Sequence, residues 1–366
     1  GAAAQDGAPG LWAAVREQAA RRPDAPAITD EHETLSYGDL VAAASAVAQW
    51  LRRQGVAPGD RVALLATRGC RYWAAVLGMF VDGVVHVPLD PAAPAAQLRA
   101  QAVGAGIGWL LHDGPGAALA AEVSGPEGWQ IAALDDAGAE KASGLPDEGA
   151  GAEAMAYVLF PSDSVGAPAV VQVSHGGMMN HLRAKSGLLA MGPQDRVAQS
   201  APQGGDIAAW QAFAPLLAGG QVRVVDDRTA QDAAALFALA GAARLTVLQV
   251  VPAMLQSALE DFRAARSWPE LPALRYLIVT GEALGAAACR TWISHFPKVP
   301  LVNAHGVPEC SGDVAHFVAE WPPAEDAFAV PVGAPIPGAE LLVLGPRAQP
   351  VPAGTPGELY VGGACV

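Results

Sequence analysis

The sequence predicts an α/β protein in which layers of parallel sheet are covered by helices, followed by a small C-terminal antiparallel β subregion. Short apolar runs alternate with helix-period segments from residue 61 to about residue 306. Such alternation favours parallel strands joined by helical crossovers. With 366 residues, 52% of them hydrophobic, the chain can bury a large core. Helical patterns then vanish from roughly the last 40 residues, where proline and glycine are dense.

The first third of the chain opens with two predicted helices. The segments LWAAVREQAA and GDLVAAASAVAQWLRRQG both repeat apolar residues at the helical period, and Gly55 supplies a stop after the second. The strand-like runs RVALL (61–65) and VVHVPL (84–89) follow, separated by the helix-like RYWAAVLGMF. We expect a further helix from about Ala95.

The middle of the chain continues the same alternation. Its predicted strands are YVLF, VVQVS, RVAQS, QVRVV, LTVLQVV, YLIVTG and LVNAHG. The predicted helices between them begin at about Gly176 or run around Trp210 to Leu217, Asp232 to Ala242, Pro252 to Arg266 and Cys289 to Phe296.

The closing segment predicts two antiparallel strands, ELLVL and ELYVGG. We therefore divide the single domain, 1–366, into a first α/β sheet (1–150), a second α/β sheet (151–325) and a β subregion (326–366). Each boundary marks a change of composition or of hydrophobic period.

Composition excludes several classes of function. The net charge of −14 leaves no basic surface for nucleic acid or anionic lipid. The four cysteines are far apart and lack zinc-site spacing, so we expect them to be reduced. The first ten residues lack the features of a signal peptide, and Asp82 and His86 interrupt the longest apolar tract. We expect a cytoplasmic protein with neither nucleic-acid nor membrane partner.

Seven short stretches carry a resemblance to a known family. They are LSYGDL (35–40), MFVDGVVHVPLDP (79–91), PSDSVGAPAV (161–170), GDIAAW (205–210), VTGEAL (279–284), NAHGVPE (303–309) and GELYVGG (357–363). In this order and at these separations they resemble the adenylation domains of nonribosomal peptide synthetases, within the AMP-forming acyl-adenylate ligase superfamily. The resemblance covers essentially the whole chain, but only the large N-terminal portion of the family's domain. We expect the family's small C-terminal subdomain, which bears a catalytic lysine, to be absent.

The resemblance implies an ATP- and magnesium-dependent activity. Such domains activate a carboxylic acid to an acyl-adenylate and transfer the acyl group to a carrier-protein thiol. The protein contributes mainly positioning and electrostatic stabilisation of the phosphates. A carrier protein, neighbouring synthetase domains and an amino-acid substrate are the implied partners.

The loop PSDSVGAPAV departs from the family's phosphate-binding pattern, TSGSTGxPKG. Four of its residues match that pattern: Ser162, Ser164, Gly166 and Pro168. Asp163 stands where a glycine is expected, and Ala169 stands where a lysine is expected. A carboxylate about 4 Å from one phosphate charge costs on the order of 4 kcal/mol at an effective dielectric constant of about 20. The loss of a cation acts in the same direction.

The stretch NAHGVPE departs from the family's NAYGPTE in a related way. By resemblance, His305 stacks on adenine and Glu309 binds Mg²⁺. Pro308 stands where a threonine contacts the α-phosphate, and proline has no hydroxyl to donate. His305 and Glu309 are therefore remnants of a catalytic and magnesium site, and a second phosphate-binding element has changed.

The substrate side of the predicted site is less altered. By resemblance, Asp206 of GDIAAW pairs with the α-ammonium of an amino acid. The resemblance implies further pocket residues: Ile207, Trp210, Val279, Ala304, Gly312 and Asp313. A buried aspartate requires a cation or a shifted pKa. The alternative is that Asp206 is a solvent-facing N-cap of the following helix.

Three hypotheses follow from these residues. The leading one is an adenylation domain with impaired or lost ATP-dependent activation, no bound cofactor, and a residual structural or docking role. The second is an active amino-acid-adenylating domain that uses ATP and Mg²⁺ and loads a carrier protein. The third is an acyl- or aryl-CoA ligase, which needs no acid to pair with a substrate ammonium.

Overall fold

The computed structural model describes residues 9–125, 128–138, 149–161 and 169–366. Its helices are α1 (Leu11–Arg21), α2 (Tyr37–Arg53), α3 (Cys70–Val81), α4 (Ala95–Ala105), α5 (Ala117–Val123), α6 (Leu134–Gly138), α7 (His175–Leu188), α8 (Asp206–Leu217), α9 (Asp227–Gln231), α10 (Ala233–Ala242), α11 (Pro252–Ala265) and α12 (Ala286–His295), and Pro308–Cys310 forms a 3-10 turn. Its strands are β1 (Pro26–Thr29), β2 (Thr34–Ser36), β3 (Arg61–Leu65), β4 (Val85–Leu89), β5 (Trp109–His112), β6 (Gln130–Ala133), β7 (Met155–Leu159), β8 (Val171–Ser174), β9 (Arg196–Gln199), β10 (Gln221–Val224), β11 (Val247–Val250), β12 (Tyr276–Val279), β13 (Leu301–Val307), β14 (Gly312–Ala319), β15 (Ala334–Pro335), β16 (Ala339–Leu344) and β17 (Glu358–Gly363).

The strands form three sheets. The largest has the order β15-β14-β13-β12-β11-β9-β10-β1-β2, and the second has the order β6-β5-β3-β4-β7-β8. Their central strands pair in parallel, as for β11 with β12 and β3 with β4. The third sheet is the antiparallel pair of β16 and β17. The predicted α/β class, with covered parallel sheets and a small antiparallel pair near the end of the chain, is confirmed.

A helical layer fills the space between the two large sheets. Every residue of α3 except Arg71 is buried, as expected for a helix that is apolar on all sides. One core cluster joins residues of α3 and α8 to Val62 of the six-stranded sheet and Val197 of the nine-stranded sheet. Because α8 is held in this layer, its N-terminal residues face the crevice between the sheets.

The predicted division of the chain into subregions needs correction. β1 and β2, from the predicted first sheet, belong to the nine-stranded sheet, where β1 pairs with β10. β7 and β8, from the predicted second sheet, complete the six-stranded sheet, and β15 leaves the predicted β subregion for the edge of the larger sheet. Strand partners are chosen by the burial of complementary faces, which does not follow separation along the chain.

Candidate functional site

The candidate site lies where the chain reverses direction across the nine-stranded sheet. β9 and β11 are neighbours, but the chain continues from β9 to β10 on one side and from β11 to β12 on the other. Ligands of open α/β sheets bind in the crevice at the carboxyl ends of strands at such a reversal. Asp206 follows β9, and His305 lies in the carboxyl half of β13. The topology therefore brings distant predicted site residues to one sheet edge.

Asp206 is a half-buried carboxylate at the start of α8. Its Oδ1 accepts a hydrogen bond from the N–H of Ile207 at 3.0 Å, and it forms no ion pair with any residue that the structure describes. Burial and the nearby charge of Asp313 raise the pKa of Asp206. Gly205 is the N-cap of α8, so the alternative assignment of Asp206 as a helix cap is wrong. Within the described part of the chain, the carboxylate therefore has no ion-pair partner.

A cluster of charged and imidazole side chains surrounds Asp313, and we call it the Asp313 cluster: Lys185, His181, His316 and Asp313. Nζ of Lys185 donates to Oδ2 of Asp313. Nε2 of His316 lies 3.1 Å from that same oxygen, and Nε2 of His181 lies 3.4 Å from it. Lys185 is 0% exposed and Asp313 is 5% exposed. Both charges are therefore removed from solvent.

The Asp313 cluster shifts the pKa values of Asp313 and His316. Burial alone raises the pKa of Asp313, but the charge of Lys185 and the hydrogen bonds from His181 and His316 hold it well below its usual range. Burial and the charge of Lys185 lower the pKa of His316. The cluster thus keeps Asp313 ionised inside the protein.

Close packing of α7 against β14 builds this cluster. Ser174 caps α7 by accepting a hydrogen bond from the N–H of Gly177 at 3.1 Å. A Cβ atom on Gly177 would clash with Ser311, and a Cβ atom on Gly312, whose φ is +117°, would clash with the His181 ring. The glycines at 177 and 312 therefore permit the approach that places His181 and Lys185, one helical turn apart, over β14.

Two buried side chains, Trp210 and Gln249, carry polar atoms without partners among the described residues. Trp210 is 1% exposed and packs under Lys185, whose Nζ lies 4.8 Å from the centre of its ring. Nε1 of Trp210 has no hydrogen-bond partner among the described residues, and neither have Nε2 and Oε1 of Gln249, which is 5% exposed. Gln249 alternates with Leu248 and Val250 along β11, which places it on the same sheet face as Val247. Buried polar atoms without partners are uncommon in native proteins and mark candidate ligand contacts.

The nucleotide side of the predicted site is described in part. Ser162, Asp163, Ser164 and Gly166 lie outside the described residues. Ala169 is exposed, His305 is half-buried and Glu309 is exposed. β8, which follows the loop, contacts the turn Pro308–Cys310. The strand that follows the loop therefore packs beside the turn that contains Pro308.

The remaining predicted pocket residues divide between two faces of the large sheet. Trp210 and Ala304 belong to the core cluster between the sheets, and Ile207 packs against that cluster. Val279 instead joins the second core cluster, on the opposite face of β12, whereas its neighbour Ile278 faces the first. Val279 therefore lies on the sheet face opposite to Trp210 and Ala304, because successive residues of a strand point to opposite faces.

Several site residues were not predicted from the sequence. They are Lys185, His181, His316 and Gln249. The helical spacing of Gly177, His181 and Lys185 was the available signal, since residues four apart share a helix face.

Among the described residues, no group of three or more His, Cys, Asp or Glu side chains is arranged to hold a metal ion. Nor does any helix in the part of the chain that the structure covers have the length and apolarity needed to cross a membrane. Mg²⁺ commonly binds through one or two carboxylates together with substrate phosphates, so Glu309 alone is compatible with magnesium that arrives with a nucleotide.

Comparison with known sequences identifies the family. The family described as AMP-binding enzyme matches residues 15–366. The chain is 30% identical over 355 residues to syringomycin synthase SyrB1 of Pseudomonas syringae pv. syringae, covering 96% of this chain and 56% of that protein. It is 28% identical over 360 residues to enterobactin synthase component F of Escherichia coli, covering 96% of this chain and 27% of that protein. The chain thus spans less than two thirds of the length of these relatives.

Solved structures share the fold over nearly the whole chain. The AMPPNP-bound form of the nonribosomal peptide synthetase FmoA3 has a TM-score of 0.88 at 25% identity, covering 99% of this chain and 39% of that chain. The N-terminal subdomain of Klebsiella oxytoca NpsA in complex with 3-hydroxybenzoyl-AMSN has a TM-score of 0.84 at 22% identity, covering 98% and 88%. The chain therefore belongs to the AMP-binding enzyme family and is homologous to the adenylation domains of nonribosomal peptide synthetases.

Proposed function

We propose that the chain is the large part of an adenylation domain in a nonribosomal peptide synthetase whose ATP-dependent activation of an amino acid is impaired or lost. The observation that carries this proposal is the change in both phosphate-binding elements. Asp163 replaces a glycine, Ala169 replaces the expected lysine, and Pro308 replaces a hydroxyl donor. The contact of β8 with the turn at 308–310 supports the view that these changes act on one bound nucleotide.

The electrostatic cost explains why the loss is selective for nucleotide. An unfavourable contact of about 4 kcal/mol corresponds to roughly a thousandfold loss of affinity. The substrate side of the site retains Asp206, which is half-buried and has no ion pair with a described residue. An α-ammonium group would supply the missing charge. Binding of an amino acid is therefore separable from binding of ATP.

A residual role follows from this separation. A folded domain that binds nucleotide poorly can still space and dock its neighbours, which we infer to be a carrier protein and other synthetase domains. An artificially fused adenylation–carrier di-domain, NpsA-ThdA of Klebsiella oxytoca, shares the fold with a TM-score of 0.86 over 98% of this chain. That likeness supports the choice of a carrier protein as the partner to test.

Equilibrium titration with MgATP tests the proposal on this chain directly. The structure of the NpsA N-terminal subdomain with an adenylate analogue supports the use of such a subdomain in binding assays. We expect no micromolar binding by isothermal calorimetry. The double variant Asp163→Gly, Ala169→Lys should bind on the order of a hundredfold to a thousandfold more tightly. The double variant Ala118→Lys, Ala121→Lys, at exposed positions on α5, is the control, since it raises the net charge by the same two units.

Two results would contradict impaired activation. One is micromolar MgATP affinity of the native chain, and the other is amino-acid-dependent pyrophosphate exchange by a longer protein that contains it. Either result would favour the second candidate, an active amino-acid-adenylating domain in which Glu309 binds the magnesium of MgATP. The unpaired carboxylate of Asp206 is the observation that favours this candidate. It predicts that Asp206→Ala abolishes the exchange.

A further inference from the structure

Lys185 is not among the pocket residues predicted from the sequence, and it is completely buried. Lysine is almost never fully buried unless it is paired, and replacing a buried ion pair by apolar residues is often neutral or stabilising. The pair of Lys185 with Asp313 is therefore weak as a device for stability alone. Lys185 lies over the ring of Trp210 and beside Asp313, the charged neighbour of Asp206. This position points to a role in the predicted amino-acid pocket.

The hydrogen bonds of Asp313 leave one of its oxygens open. Lys185, His181 and His316 all contact Oδ2. Oδ1 has no hydrogen-bond partner among the described residues and is not one of their buried unpaired atoms. An oxygen that is neither bonded nor sealed off can accept a hydrogen bond from a ligand.

The charges beside this oxygen define what can bind. The site holds two carboxylates, Asp206 and Asp313, and one ammonium group, that of Lys185. An amino acid supplies one α-ammonium, which balances Asp206. A second cation on the ligand has no free carboxylate to bind, because Asp313 is already paired with Lys185. An uncharged donor or acceptor could instead bond Oδ1 of Asp313, Nε1 of Trp210 or the amide of Gln249, which lack partners among the described residues.

We propose that Lys185 is a specificity-determining residue, which neutralises Asp313 so that the pocket accepts an amino acid with an uncharged hydroxyl or amide side chain and rejects dibasic amino acids. This inference rests on the amino-acid binding in the proposed function, but not on ATP. Without Lys185, Asp313 keeps its contacts with His181 and His316 but loses its ammonium partner, and it recruits a side-chain ammonium from the ligand. Without Asp313, Lys185 becomes a free cation and recruits a side-chain carboxylate.

Ligand-observed NMR in the absence of nucleotide tests the inference with five probes: L-asparagine, L-threonine, L-leucine, L-ornithine and L-glutamate. The native chain should bind L-asparagine or L-threonine more tightly than the other three. Lys185→Met should gain affinity for L-ornithine, and Asp313→Asn should gain affinity for L-glutamate, each by on the order of tenfold to a hundredfold. The double variant Lys185→Met, Asp313→Asn should show neither gain. If Lys185→Met does not fold, Asp313→Asn and the double variant still decide the question.

The outcomes separate this inference from the proposed function. Variants that bind amino acids with unchanged selectivity would overturn the role of Lys185 and leave the proposed function intact. A native chain that binds none of the five probes but binds 3-hydroxybenzoate would overturn both the amino-acid part of the proposed function and this inference. Tight MgATP binding would contradict only the impaired nucleotide site.

Discussion

The buried pair of Lys185 and Asp313 gives a sharp prediction about stability. We expect Lys185→Met or Asp313→Asn alone to lower the free energy of unfolding by about 3–5 kcal/mol, because each leaves the partner buried without its opposite charge. The double variant removes both charges and should cost far less than the sum of the two. Two unit charges about 3 Å apart at an effective dielectric constant of about 20 interact by roughly 5–6 kcal/mol, which agrees with that expectation.

A double-mutant cycle measures the coupling between the two residues. Guanidinium titrations of the native chain, both single variants and the double variant, followed by tryptophan fluorescence, should give a coupling of about 3–5 kcal/mol. Glu17 and Arg21 form the matched control, since their ion pair is also within the chain but their side chains are 50% and 65% exposed. Their cycle should give about 0.3–0.5 kcal/mol. A coupling below about 1 kcal/mol for Lys185 and Asp313 would refute the buried arrangement.

The pH dependence of the same variants adds an independent check. In the native chain the pKa of Asp313 is depressed, so its contribution to stability is present above the unfolded pKa of about 3.9 and is lost as pH falls through the folded pKa. In Lys185→Met only His181 and His316 still oppose the effect of burial, so the pKa of Asp313 should rise toward the unfolded value. The variant should therefore lose much of the stability that ionised Asp313 gives the native chain above about pH 4. Stability curves of the variant and the native chain that stay parallel through this pH would contradict the assignment.

Three further predictions concern single positions. Gly312→Ala should lower the free energy of unfolding by about 2 kcal/mol or more, because of its positive φ and the clash with His181. The control Gly187→Ala, which has open space on α7, should be neutral or stabilising. Equal melting temperatures for the two variants would argue against the packing described. Asp206→Asn should raise the melting temperature of the ligand-free chain and weaken amino-acid binding, since burial and Asp313 raise the pKa of an aspartate that lacks a cation; thermal melts with and without ligand check both effects. Burial lowers the pKa of His86 to about 3. The free energy of unfolding should therefore decrease as pH falls below the unfolded pKa of about 6.5. His86→Gln should flatten that part of the stability curve measured by urea unfolding, and an unchanged slope would count against burial of the ring.

The sequence predicted most of the fold because hydrophobic period is a local property. The runs RVALL and VVHVPL became the parallel strands β3 and β4, and ELLVL and ELYVGG became the antiparallel pair β16 and β17. The segment PAIT, now β1, was missed because its four residues have no clear alternation and its partner β10 is distant in sequence. Strand pairing is decided by tertiary contacts, which a local pattern does not contain.

Only the part of the site that lies in a contiguous motif was predicted from the sequence. Asp206 and Trp210 were found through a contiguous motif, whereas the Asp313 cluster joins three residues of α7 and β14 to a pocket residue. A single lysine on a helix usually extends into solvent, so Lys185 gave no local signal of burial. The close approach that buries it depends on Gly312, more than 120 residues away.

The pairing of β1 with β10 also constrains the order in which the chain can fold on the ribosome. Ile28 is placed opposite Val222, about 190 residues later. At a synthesis rate of roughly 5–20 residues per second, β10 is synthesised about 10–40 seconds after β1. The six-stranded sheet, from residues 61 to 174, can form during that interval. β1 therefore has one unpaired edge until β10 is synthesised, and an unpaired strand edge can pair with another chain.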